Sequence, residues 1–185
     1  MPKLDTGNFT FTKLTSDNCK LNKTMLLKGG EKDKTSGGHM TKGSYETITT
    51  DADGFVDVLE GLTPSQAISV GLSKYGETGS ITSSRAPTSK AIRRSKENFD
   101  SGPVLFIDVD GSGLSREALL VELIKIDPNI EHATMVIRES SSSLVRKEGE
   151  PRDEAKGDHH IYMPVRDAAD VKRYGELFGK RCWLN

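Results

Sequence analysis

Val104-Leu105-Phe106-Ile107-Asp108-Val109-Asp110-Gly111-Ser112-Gly113 is the stretch around which the rest of the chain is organised. Its four opening residues form an apolar run that follows Gly102-Pro103 and is bounded by turn formers on both sides. A run that is short and apolar at consecutive positions reads as a central sheet strand. Asp108 and Asp110 stand at its C-terminal end, and Gly111-Ser112-Gly113 breaks it. Residues at i and i+2 of an extended strand project to one side. Two carboxylates on one side can share hard divalent cations, which demand oxygen ligands. Carboxylates left unpaired beside an apolar strand are costly, so a counter-cation is expected. Mg²⁺ or Mn²⁺ held there would bridge to phosphate oxygens. Two such ions about 3.5–4 Å apart stabilise both oxygens of an in-line displacement.

Downstream, Ser115 is positioned to cap a helix over 116–126, with Leu119, Leu120, Val121, Leu123 and Ile124 as its buried face and Pro128 as its stop. Residues 133–137 read as the next strand. Arg138 and the hydroxyls of Ser140, Ser141, Ser142 and Ser143 follow at its end, and such groups donate to phosphate oxygens. The segment 144–156 is highly charged and reads as exposed. Residues 159–165 alternate like a strand, so His160 and Tyr162 share one face while His159 takes the other and is expected to be exposed. Asp110, Ser141 and His160 then form one arrangement on adjacent strands. Asp167 caps a last helix with Asp170 at its third position and Val171, Tyr174, Leu177 and Phe178 on one side. The chain stops just after Trp183-Leu184, which reads as an N-terminal piece of something longer.

Upstream, Phe9-Thr10-Phe11-Thr12 and residues 23–27 read as short strands. Residues 28–43 are rich in glycine and lysine with almost nothing to bury, which predicts a mobile loop or long hairpin tip. A strand over 44–50 precedes a turn at 51–54 and a helical face of Phe55, Val56, Val58 and Leu59. Thr63-Pro64-Ser65-Gln66 carries capping-box chemistry and predicts a short helix over 65–68. Ser80-Ile81-Thr82 is strand-like. Residues 85–96 then hold five positive charges and no acid. Arg85, Lys90, Arg93 and Arg94 are the candidates there for contacts to a nucleic-acid backbone. A helix starting near Ser89 would put Lys90, Arg93 and Arg94 on a similar face.

The pattern predicts an α+β fold: a mixed or antiparallel central sheet with flanking helices. The expected division is 1–50 as N-terminal strands with a flexible Lys/Gly-rich loop, and 51–185 as the α+β domain. The 185 residues hold 26 Lys and Arg against 27 Asp and Glu, a net charge of -1. That is too balanced for a non-specific nucleic-acid coat, though not for an enzyme that grips nucleic acid through a local groove. Cys19 and Cys182 lack the spacing of a zinc knuckle or a redox pair, and two free intracellular thiols is the plain reading. There is no apolar run long enough to span a membrane and no secretory signal, so a cytoplasmic location without membrane association is expected.

Three chemistries compete for the aspartates. A calcium loop counted from Asp108 has Asp110, Ser112 and Gly113 in place but Leu119 where a bidentate Glu is required, which rules it out. FIDVDGS also resembles the first motif of phosphohydrolases of the haloacid dehalogenase type, with Asp108 as nucleophile, Asp110 as acid/base and Ser140 as the second-motif hydroxyl. That family's later lysine has only Lys172 as a loose counterpart, and no acidic pair ends a later strand. The third chemistry is nucleotidyl transfer, which needs acids for metal and donors for phosphate.

The third reading gathers the remaining motifs. LFIDVD (105–110), ESSSS (139–143) with GDHHIYMPV (157–165), KRYGELFGKRCWL (172–184) and KAIRRSKENF (90–99) together resemble the archaeo-eukaryotic primase superfamily, in particular primase-polymerase-like replication proteins of plasmids, phages and integrated elements. The resemblance spans residues 40–184. It implies a primase-polymerase-like catalytic core, incomplete at its C-terminus, with Asp108 and Asp110 binding catalytic Mg²⁺ or Mn²⁺. It implies that His160 contacts the phosphates of an incoming nucleoside triphosphate, with Ser141 or Ser143 as the accompanying hydroxyl and Arg138 as a further phosphate donor. The serine and histidine lie further apart than in the compact serine-x-histidine form, as in the looped variant of mobile-element members. The family's third metal-binding acid has no match before Asn185. The implied activity is template-directed nucleotidyl transfer during replication of a mobile element or phage. Its partners would be single-stranded DNA and a helicase domain or protein. A catalytically incomplete nucleic-acid-binding domain is the remaining alternative.

Overall fold

Residues 7–28, 31–35, 37–83, 91–140 and 158–182 are described by the structure, a computed structural model. In chain order its strands are β1 (Phe9–Ser16), β2 (Thr24–Lys28), β3 (Glu31–Thr35), β4 (Lys42–Thr50), β5 (Gln66–Ser69), β6 (Gly71–Ser73), β7 (Thr78–Ser83), β8 (Ile92–Arg94), β9 (Phe99–Ser101), β10 (Val104–Val109), β11 (Val136–Glu139) and β12 (His159–Pro164). Its α-helices are α1 (Ala52–Glu60), α2 (Arg116–Ile126) and α3 (Asp170–Cys182). The fold is α+β, with several separate sheets among the described residues. Two compact units divide the chain: one holds residues 8–24 and 35–104, the other holds Leu105 onward together with Met25–Lys34.

In the first unit, β1 and β4 pair antiparallel from Phe9↔Thr50 to Ser16↔Gly43, and the sheet runs β5-β1-β4-β7-β8. Strands on both sides of residue 50 therefore share one sheet. Asp51 caps α1 by accepting from the Gly54 N–H at 2.9 Å, so the helix begins inside the stretch expected to be a turn. Phe55 of α1 stacks on Phe9 at 4.5 Å and meets Phe11 edge-on at 4.9 Å. All three rings are wholly buried, and each contributes roughly 1.5–3 kcal/mol by leaving water. Phe99 packs against a second cluster of Met40, Tyr45 and Ile81. Cys19 and Cys182 are both free.

Two expected helices are strands. Gln66–Ser69 is β5, paired antiparallel with β1. The capping chemistry is real but local: Gln66 Oε1 accepts from the Thr63 N–H at 3.0 Å and closes a turn rather than opening a helix. Residues 92–94 form β8, parallel to β7, where Ile92 lies opposite Ile81. In both places cross-strand pairing overrides a weak helical pattern. The region 28–43, expected to be a loop or hairpin tip, contains β3, which with β2 makes a two-stranded sheet.

In the second unit the order is β10-β12-β11. β11 and β12 pair antiparallel, with Arg138↔His160 and Val136↔Tyr162 in register. Phe106 lies beside Tyr162, Asp108 beside His160 and Gly111 beside Asp158, so numbers rise on β10 as they fall on β12 and that pair is antiparallel too. β10–α2–β11 is thus a crossover with β12 inserted between its strands, a split β-α-β arrangement. The apolar run of β10 predicts a place at the sheet centre. Among the described strands it lies at the edge, with β12 central. β11 starts later than the expected 133–137.

Strand alternation sorts this sheet into two faces. Leu105, Ile161 and Met163 join Leu119 and Leu123 of α2 and Tyr174 and Phe178 of α3 in one core, with Ile107, Val109 and Ile137 packed against it. Ser115 caps α2 as expected, its Oγ accepting from the Ala118 N–H at 3.2 Å. Val121, expected in the buried face, is exposed because it sits about 200° round the helix from Leu119. Leu177 is likewise exposed at the margin of the α3 face. Asp127, at the end of α2, is buried and takes a 2.9 Å hydrogen bond from the Tyr174 hydroxyl on α3. Among the described residues no helix is long and apolar enough to cross a membrane.

Candidate functional site

The other face of the β10-β12-β11 sheet carries the candidate site residues Asp108, His160 and Arg138. Phe106 and Asp108 alternate outward from β10 while Leu105, Ile107 and Val109 turn to the core. His160 and Tyr162 do the same on β12. Asp108 Oδ1 lies 3.3 Å from His160 Nε2, and Arg138 of β11 is the cross-strand partner of His160 on its other side. Asp108, His160 and Arg138 therefore form a row across three strands. Phe106, Tyr162 and Val136 form the next row: the Phe106 ring centre is 5.1 Å from that of Tyr162 and 5.4 Å, edge-on, from that of His160.

Charge along the row is mixed. Asp108 and Arg138 are exposed, while His160 is part-covered. Burial pushes the Tyr162 hydroxyl above its ordinary pKa, with the Arg138 charge lowering it and the Asp108 charge raising it again. The phenol therefore stays protonated at neutral pH and adds no negative charge beside Asp108.

Asp110 follows the last residue of β10 and is exposed. The turn after it is clasped to β12: the Gly111 N–H donates to Asp158 Oδ1 at 2.6 Å. Gly111 and Gly113 have φ of 67° and 64°, the left-handed region that glycine enters without penalty. The break expected at Gly111-Ser112-Gly113 thus carries a specific geometry that holds the backbone next to Asp110.

The predicted site residues fall into three groups. Asp108, His160 and Arg138 come together, with Asp110 one strand step beyond Asp108. Ser141, Ser143, Arg85 and Lys90 lie outside the described residues. Arg93 and Arg94 are exposed on β8 in the other unit, and as neighbours on a strand they point to opposite faces, not along one helical face. His159, expected to be exposed, is 2% exposed on the core side, and its Nδ1 has no hydrogen-bond partner among the described residues. Phe106 and Asp158 lie inside the stretches 105–110 and 157–165, but neither is among the predicted site residues. The period of two through 106, 108 and 110 is the signal for Phe106. The Gly-Asp pair ahead of β12 offers only a generic turn signal for Asp158.

Among the described residues no cluster of three or more His, Cys, Asp and Glu side chains could by itself hold a metal ion. Asp108 and Asp110 nevertheless fit Mg²⁺ or Mn²⁺ in chemistry. They are exposed hard oxygen donors at and just beyond the end of β10, and Mg²⁺ is ordinarily held by one or two carboxylates with water and substrate phosphate completing its shell. No family model, curated protein or solved structure matches the chain.

Proposed function

We propose that this chain carries the nucleotide-handling face of a metal-dependent nucleotidyltransferase of the archaeo-eukaryotic primase type. The observation that supports it best is the row of Asp108, His160 and Arg138 on one sheet face, with Asp110 just after the end of β10. Acids for a cation and donors for phosphate stand side by side, which is the combination phosphoryl chemistry needs.

Asp108 and Asp110 would hold Mg²⁺ or Mn²⁺, which supplies Lewis acidity to the α-phosphate and to the attacking hydroxyl. His160 donates to a phosphate oxygen of the nucleoside triphosphate, and Asp108 orients its ring. Arg138 offers a planar fork to the same phosphates. A 3′-hydroxyl gives up its proton to solvent and attacks the α-phosphorus, the bond to the α–β bridging oxygen breaks, and pyrophosphate leaves. Ser141 and Ser143 are proposed as additional hydroxyl donors. Single-stranded DNA is the proposed template, with Arg85, Lys90, Arg93 and Arg94 as backbone contacts that position without specifying. A helicase is the proposed partner.

The test is incorporation of labelled nucleotide on single-stranded DNA with Mg²⁺ or Mn²⁺. Activity lost in the Asp108→Ala and Asp110→Ala variants supports the reading. Activity that survives both changes overturns it. Template binding without incorporation in the unaltered chain identifies a nucleic-acid-binding domain instead. β12 separates β10 from β11, so Asp108 and Ser140 are not on neighbouring strands as the hydrolase reading requires.

A further inference from the structure

Phe106 is out of place by the logic of its own strand. Leu105 is 4% exposed and Val104 wholly buried, yet Phe106 shows 39% of its surface to solvent. A singly exposed apolar ring is ordinary on a protein surface, and what distinguishes this one is its place: β10 sets it two residues before Asp108, about 6.7 Å along the strand. Its surroundings are not apolar. His160 meets it edge-on and Tyr162 lies tilted against it, so it is supported from the β12 side by two further rings. Arg138 stands two strand spacings from β10, roughly 9.5 Å across the sheet. The face thus sets a supported aromatic surface beside a row that runs from the Asp108 carboxylate through His160 to the Arg138 cation, matched to a ligand with a flat π-system at one end and metal-bound or Arg-paired anionic phosphates at the other.

We infer that Phe106 is the base-stacking platform of this face, against which the nucleobase of a nucleoside triphosphate lies while its phosphates reach toward His160 and Arg138. The inference rests on the nucleotide-binding part of the proposed function and names the contact that holds the base. Every base has a π-face, and Phe106 has no polar atom with which to read base edges, so the contact does not discriminate among the four bases.

The experiment uses the full chain with Mg²⁺ and measures equilibrium binding of each of four nucleoside triphosphates and of inorganic tripolyphosphate. Phe106→Ala is expected to weaken all four nucleotides on the order of 5- to 150-fold, the span of base–aromatic stacking. Tripolyphosphate affinity is expected to stay unchanged. Phe106→Leu, which keeps apolar bulk and so guards against misfolding, is expected to follow Ala. Phe106→Tyr, which keeps the π-face, is expected to follow the unaltered chain. Equal weakening of tripolyphosphate, unchanged nucleotide affinity in Phe106→Leu, or no saturable nucleotide binding by the unaltered chain overturns the inference. Nucleotide binding that depends on the Phe106 ring, without incorporation, leaves it standing and defeats only the proposed catalytic activity.

Discussion

Replacing Tyr174 by Phe removes one oxygen from a buried junction and changes little else. The Tyr174 hydroxyl donates to Asp127 Oδ2 at 2.9 Å, and Asp127 is only 4% exposed. The other carboxylate oxygen accepts from the Asn129 backbone N–H at 3.1 Å and from the Asn129 amide at 2.7 Å. Phe keeps the ring that stacks on Phe178 at 6.0 Å, so apolar packing is retained. The loss is a single hydrogen bond to a charged, buried group, about 1.5–3 kcal/mol. Its pH dependence is a sharper test. Burial raises the Asp127 pKa, but the hydrogen bonds from Asn129 and Tyr174 and the Arg181 charge outweigh it, and the net shift is downward. A carboxyl lowered in the folded state adds stability above its unfolded pKa and loses it as pH falls through the folded value. The Tyr174→Phe deficit should therefore be full at pH 7 and shrink below the ordinary aspartate range. Urea unfolding followed by circular dichroism at both pH values measures it. A deficit under about 0.5 kcal/mol at pH 7, or one equally large in acid, would refute the reasoning.

Gly111→Ala should cost about 1–2 kcal/mol through its φ of 67°, because an added Cβ meets nothing within 4 Å and the whole penalty is conformational. A neutral result in urea unfolding would mean that the turn relaxes freely. Charge reversal at Arg93 and at Arg94, tested singly, should affect single-stranded DNA affinity unequally, because the two side chains leave β8 on opposite faces. The sensitive position should lower the salt slope by about 0.7 for each phosphate that it no longer neutralises. Equal weakening at both would count against the strand geometry.

Local chemistry is legible where it agrees with tertiary pairing. The α2 boundaries follow from Ser115 and Pro128, and the outward pair of His160 and Tyr162 follows from alternation alone. Thr63 and Gln66 show the limit. Their hydrogen bond forms as expected, yet residues 66–69 go to β1, a partner some fifty positions away that no local signal names. The same cause turns the basic stretch at 92–94 into strand. For the site, alternation places Asp108 on the face away from the core, where the structure has it exposed. That His160 is its neighbour depends on β12 lying between β10 and β11, an ordering that lives in the topology and not in either motif. The burial of His159 escapes a local reading because it too depends on which side α2 and α3 cover.

Strand β10 serves two surfaces at once, and that constrains how the gene can change. A single-codon insertion or deletion within Val104–Val109 would exchange the two sets of side chains downstream of it, driving a carboxylate into the oily interior and leaving aliphatic groups on the outer face. Length variation in this segment is thus disfavoured by folding alone, before any role of the outer face is considered.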